Sequence, residues 1–220
     1  MTDFDETEVG LGWLLVTVST AGGPASLRMQ VWRKLRSLGA LYLQSSVCLL
    51  PARPRVVREV RRLVDRVERD GGTARVLQIA LIDPDERGRV IAELSSARDG
   101  EYAEVLERVP SFLEELASER TRGRATYAEV EESEADLDRF RGWLAKIEKR
   151  DYFAAAGGAA ARAAVERCAA ELAAFEDEAL SAEAPHEAPT HHHAQASTPG
   201  AGSAPAGRSA ASRPRLTIAE

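Results

Sequence analysis

The sequence predicts an α+β protein: a small β-α-β-β-α-β domain, then an antiparallel helical extension, then a disordered C-terminal tail. Three observations predict it. Apolar strand-like runs alternate with helix-spaced stripes up to about residue 83. Helical spacing alone continues over 84–180. From residue 181 onward Ala, Pro, Gly, Ser and Thr dominate, a composition that cannot bury a core. The expected units are a disordered acidic leader (1–10), an α/β domain (11–83), a helical extension (84–180) and a low-complexity tail (181–220).

The first strand is the β-branched and apolar run Trp13–Ser19, read as buried on both faces. Gly22, Gly23 and Pro24 break it. Ser26 offers an N-cap, and Leu27, Val31, Leu35 and Leu38 form the stripe of a first helix that Gly39 closes. Leu41, Leu43, Val47 and Leu49 alternate on either side of Gln44, Ser45 and Ser46, which predicts a hairpin ending at Pro51. Pro54 suits the first turn of a second helix, whose apolar face is Val56, Val57, Val60, Leu63, Val64 and Val67. Gly71-Gly72 ends it, and 74–82 is a last strand. This order is that of the ferredoxin-like split unit.

The helical half begins at Asp83-Pro84. Asp99-Gly100 is expected to interrupt it, and Pro110 to kink or divide the stripe that runs from Tyr102 to Leu116. Thr126 with Glu129 makes a capping box for a helix burying Val130, Leu137, Phe140, Leu144 and Ile147. Val165, Cys168, Leu172 and Phe175 stripe the last helix.

Composition narrows the class. No run approaches the about 18 to 20 apolar residues of a membrane span. The first ten residues are acidic and lack the basic start of a secretory signal. Two cysteines, Cys48 and Cys168, give no disulfide framework, so a cytoplasmic protein is expected.

The net charge of −6 conceals an asymmetry. Residues 26–75 carry twelve Arg and Lys against four acids, whereas 76–180 carry fourteen against twenty-four. In the second helix Arg55, Arg58, Arg62, Arg66 and Arg69 recur at three and four residues on the side away from the valines. Arg28, Arg33, Lys34 and Arg36 add to them from the first helix. Such a stripe suits a phosphate backbone, with binding that weakens as salt rises. It equally suits a solvated face paired to the acidic helices of the same chain.

Other motifs are weaker. The run from Glu129 to Asp151 is dense in charge, but alternating signs beside an apolar stripe describe exposed ion pairs better than a metal site. Trp143 reads as a packing residue between helices. Gly22-Gly23 lacks the Lys-Ser/Thr of a phosphate loop, although Ser19, Thr20 and Ser26 around it are candidates for an oxyanion loop. His191-His192-His193 lies in the tail without a second ligand cluster. The alternation leaves the facing of Cys48 open, while the stripe buries Cys168. No metal ligand set and no cofactor are expected.

The WLLV strand, the segment LRMQVWRKLRSLGALYLQSSVCLLP and the later EVEESEADLDRFRGWLAKIEKRDYF together resemble the N-terminal domain of ChrB-type chromate-resistance proteins, over about residues 11 to 180. The first part is more distantly similar to the ferredoxin-like module of PaaX-type repressors and of the CRISPR adaptation nucleases. Those nucleases hold a metal with an aspartate at the end of the first strand. Here Val18-Ser19-Thr20-Ala21 occupies that place, and no carboxylate is present to bind the ion. The expectation is therefore no enzyme. The resemblance implies a regulatory module of chromate resistance, expected to bind duplex DNA through the arginine helices as a homodimer. A non-catalytic module pairing with a separately encoded chromate-resistance domain is the alternative, and a residual nuclease comes last.

Overall fold

Four strands form one antiparallel sheet: β1 (Trp13–Ser19), β2 (Leu41–Gln44), β3 (Val47–Pro51) and β4 (Thr73–Ile79). The computed structural model describes residues 12–123 and 126–183. The spatial order is β2-β3-β1-β4, so β1 is central and β2 and β4 are the edges. Leu14 lies opposite Leu50 and Val16 opposite Cys48, while Leu15 opposes Leu49 and Leu77 on the other face. This register gives the sheet two apolar faces.

The first face carries α1 (Ala25–Ser37) and α2 (Pro54–Arg69). Leu14, Val16, Cys48 and Leu50 meet Leu27, Val31 and Leu35 of α1 and Val56, Val60, Leu63 and Val67 of α2. Each such side chain contributes about 1.5–3 kcal/mol when fully buried. The second face is covered at the Trp13 end only. There Trp13 and Leu49 pack against Val90 and Leu94 of α3 (Pro84–Thr121), and Trp13 stacks on Phe153 with ring centroids 5.9 Å apart. Farther along, Leu77 stays half exposed. Both-face burial of β1 therefore holds for its first half.

The remaining helices, α4 (Tyr127–Glu148) and α5 (Gly157–Glu183), pack with α3 around a core of their own that includes Tyr102, Phe112, Phe140, Leu172 and Phe175. Two polar contacts tie this bundle to the sheet domain. The Tyr152 hydroxyl donates to the Leu38 carbonyl at 2.7 Å, and Arg55 donates to the Lys149 carbonyl at 3.2 Å. Next to them Arg150 donates to Glu101 at 3.1 Å, and Glu101 also pairs with Arg98, whose guanidinium lies beside Gly39.

Several local expectations change. α3 is one helix of 38 residues, with Gly100 and Pro110 inside it. A continuous buried stripe from Val90 to Leu116 holds it together, and tertiary packing outweighs both local breakers. Pro110 is exposed, on the side where helix carbonyls are hydrated. Asp99, instead of ending the helix, accepts the Gly157 N–H at 2.7 Å. α1 starts at Ala25 with Pro24 as its cap residue, so Ser26 is a helical residue without a capping bond. β4 stops at Ile79, short of Ile82, which is almost fully exposed. Thr126 does cap α4, its hydroxyl accepting from the Glu129 N–H. α5 reaches Glu183, two residues past Ser181, where composition alone places the start of the tail. The acidic leader (1–10), the rest of the tail and His191 to His193 lie outside the described residues.

Candidate nucleic-acid interface and the adjoining groove

α2 owes its charge pattern to its burial pattern. Val56, Val60, Leu63 and Val67 are spent on the core, and the three- and four-residue spacing sets Arg55, Arg58, Arg62, Arg66 and Arg69 on the exposed flank. All five are exposed, as is neighbouring Arg61, which falls outside that spacing. On α1, Arg28, Arg33 and Arg36 are exposed and Lys34 is half-buried.

The cations differ in how they are engaged. Glu59 joins the two helices: it accepts from Lys34 at 2.5 Å and from Arg62 at 2.9 Å. The hydrogen bond from Lys34, followed by the charges of Lys34 and Arg62, holds the Glu59 carboxyl below its ordinary range. Arg55 is tied to the Lys149 carbonyl, and the Arg36 guanidinium sits 5.1 Å from the Trp32 ring centroid. Arg28, Arg33, Arg58, Arg66 and Arg69 make no hydrogen bond or ion pair with the described residues. The acidic bundle thus neutralises little of this surface. Several of its carboxylates pair with the bundle's own arginines, as in Asp136 with Arg139, Asp138 with Arg141 and Glu171 with Arg120.

On the flank of α1 away from α2 lies an open groove of about 980 Å³. The end of β1, the β2–β3 turn and the start of β4 complete its walls. Ser19 and Thr20 of the suggested oxyanion loop line it, and Ser26 does not. The Ser19 hydroxyl accepts from the Ala21 N–H at 3.4 Å, so the structure brings two of the three candidates together without forming a pair of aimed donors. Met29, Trp32 and Tyr42 also line the groove, as do Arg28 and Arg75. Sequence reasoning missed the three apolar members and Arg75. Met29 and Trp32 fall off the Leu27–Val31–Leu35 stripe, and Tyr42 has the opposite phase to Leu41 and Leu49, which are the signals that expose them.

Two glycine turns approach each other next to Gly23, which lines the groove. Gly22 has φ +94° and Gly71 φ +85°, and a Cβ on either would come within 2.9 or 3.0 Å of the other's carbonyl oxygen. Cys48 also borders the groove but is buried, and burial pushes its thiol up to about 12. Cys168 is buried in the bundle core, with its thiol raised for the same reason. Neither is a reactive thiolate at neutral pH. Among the described residues no three His, Cys, Asp or Glu side chains are grouped to hold a metal ion. Trp143 packs inside the bundle with Arg108 5.4 Å from its ring centroid. No described helix is long and apolar enough to cross a membrane.

Comparison with known proteins adds a family to this geometry. The family described as "Protein ChrB, N-terminal" matches residues 28–186. The chain is 28% identical over 151 residues to Protein ChrB of Cupriavidus metallidurans, an alignment covering 68% of this chain and 43% of that protein. It therefore spans less than half the length of this curated relative. No solved structure matches.

Proposed function

The chain belongs to the ChrB N-terminal family, and from that premise we propose that it is a regulatory module of chromate resistance that binds duplex DNA through α1 and α2. We read the β2-β3-β1-β4 order as the ferredoxin-like arrangement, with the bundle as a buttress. One observation carries the proposal. Arg58, Arg66 and Arg69 stand exposed and unpaired among the described residues along about 16 Å of one helix. They adjoin Arg33 and the Lys34–Glu59–Arg62 link. A face neutralised by the acidic bundle of the same chain would pair these charges, and among the described residues they are not paired.

In this reading the arginines contact phosphates and set affinity, and no element is assigned to base readout. The protein acts in the cytoplasm, as a homodimer and without catalysis or cofactor. The end of β1 supports a non-enzymatic role, since Val18, Ser19, Thr20 and Ala21 offer no carboxylate for a metal. Binding to a labelled duplex, measured by fluorescence anisotropy, is expected to weaken linearly in log Kd against log salt. A folded protein that binds no duplex at 50 mM salt (about the low end of the usual range) refutes the proposal.

A second reading rests on the sheet face left half-exposed around Leu77. That face binds a separately encoded partner domain, and the arginines serve solubility. A partner complex stable to high salt, together with no duplex affinity, distinguishes it.

A further inference from the structure

We propose that the groove between α1 and the β2–β3 hairpin is a binding site for a small aromatic anion, a planar ring bearing a carboxylate or a phosphate. The site shares Arg28 with the proposed duplex surface, but the rest of its lining lies on the opposite flank of α1 from Lys34 and its link to α2, and its test uses no nucleic acid.

The charge of the lining comes first. Arg28 and Arg75 line the groove, and no Asp or Glu does, although the chain as a whole carries a net charge of −6. Neither guanidinium has an ion pair or hydrogen bond with the described residues. Arg75 lies opposite Thr17 in the sheet and shares the Leu77 side, whereas α1 covers the other side, so Arg28 is the uncompensated cation beside the apolar wall and specifies an anionic occupant.

The apolar wall supplies the second half of the argument. Trp13 and Trp143 are 1% and 8% exposed, as large aromatics in a folded core should be, whereas Trp32 is 39% exposed. Met29 at 48% and Tyr42 at 37% flank it, which gathers three of the exposed large hydrophobics into one depression. Arg28 and Trp32 are one helical turn apart on the same face of α1, so a ring laid on Trp32 brings its acidic substituent to Arg28. Arg36, over the Trp32 ring at 5.1 Å, fixes the orientation of that platform. Hydroxyls of Ser19, Thr20, Ser45 and Ser46 rim the space and offer neutral donors to the same substituent.

These features exclude simpler occupants. A bare inorganic oxyanion satisfies Arg28 and leaves Trp32, Tyr42 and Met29 in water. An uncharged apolar ligand does the reverse. A second copy of the chain docked through the same groove would set Arg28 against its own counterpart. At about 980 Å³ the groove is of the size that holds a single small ligand.

Trp32 is the exposed tryptophan of the three in the sequence, so its fluorescence reports on the groove in the full chain. Adenosine 5′-monophosphate and benzoate test the two sources of the chemistry, with adenosine, benzamide and inorganic phosphate as controls. One of the two aromatic anions is expected to change the emission saturably, and to bind about tenfold or more tightly than its neutral counterpart and than phosphate. Arg28→Ala, verified as folded by circular dichroism, is expected to raise Kd by about tenfold. Trp32→Phe removes the optical signal, and calorimetry then shows weakened binding. The proposal is overturned by no saturation with either anion up to about 10 mM, by phosphate binding as tightly as both, or by affinity unchanged in Arg28→Ala.

Discussion

Replacing Glu59 with glutamine is expected to tighten duplex binding. Glu59 is the carboxylate that accepts from both Lys34 and Arg62 within the basic surface. Glutamine keeps the size and an acceptor oxygen but removes the charge that holds the two cations, leaving both free for phosphate. Each phosphate neutralised steepens log K against log salt by about 0.9, so two freed cations steepen it by up to about 1.8. At 50 mM salt, counterion release raises affinity about tenfold for each further phosphate neutralised, and the advantage closes as salt approaches 1 M. The assay is anisotropy of a labelled duplex across salt concentrations for the wild type and Glu59→Gln, with circular dichroism to show that α1 and α2 still pack. An affinity and slope equal to the wild type in a folded variant refute the reasoning, because they mean that Lys34 and Arg62 do not face phosphate.

Gly71→Ala is expected to destabilise the fold by about 1–3 kcal/mol in urea titration, since Ala must adopt φ +85° and bring its Cβ to 3.0 Å from the Gly22 carbonyl oxygen; a neutral or stabilising change contradicts the turn geometry. Leu94→Ala, which empties the contact between α3 and the sheet, is expected to cost about 2–5 kcal/mol, and a loss below that range would mean the bundle does not lean on Trp13 and Leu49. Cys48 is expected to resist alkylation at pH 8 in the native protein (about one unit below the ordinary thiol value of 9.0) and to react once the chain is unfolded. Its thiol is pushed up to about 12 in the folded state, from an ordinary value of 9.0. The unfolded chain loses that proton first, so this contribution to stability is intact below pH 9.0 and is lost as pH rises toward about 12. Stability rising over that interval in the wild type relative to Cys48→Ala contradicts the burial.

Most of the sheet domain is legible in the sequence because its elements carry strong local signals. The run Trp13–Ser19, the stripe Leu27–Val31–Leu35 and the valines of α2 each report one period, and Gly39 and Gly71 stop the helices with left-handed backbone as expected. The bundle is legible in content and not in continuity. Gly100 and Pro110 are genuine local breakers, and only the buried stripe from Val90 to Leu116 explains why α3 runs through both. Ser26 is a suitable cap residue that lies two positions past the actual cap, Pro24, because the Gly22-Gly23-Pro24 turn enters the helix earlier. The arginines of the candidate interface follow from spacing, but which of them are unpaired does not. Glu59 is an ordinary acid in sequence, and only the packing of α1 on α2 sets it between Lys34 and Arg62. The groove is half visible in sequence: Ser19 and Thr20 stand out beside the glycine turn, while Trp32, Tyr42 and Arg75 come together through register and helix placement that no short motif encodes.

The central claim is that the outer arginines of α2 contact phosphate. The most direct test compares wild type with Arg58→Glu/Arg66→Glu/Arg69→Glu in a salt titration of duplex binding, after the variant has been shown to retain its helical and strand signal. These three residues are unpaired among the described residues, so their replacement breaks no contact seen in the fold. The account predicts that the wild type binds with a steep salt dependence. It predicts that the variant loses at least about 2.7 from the slope, three contacts at 0.9 each, with affinity near background at physiological salt. A folded variant that keeps the wild-type slope and affinity would contradict it.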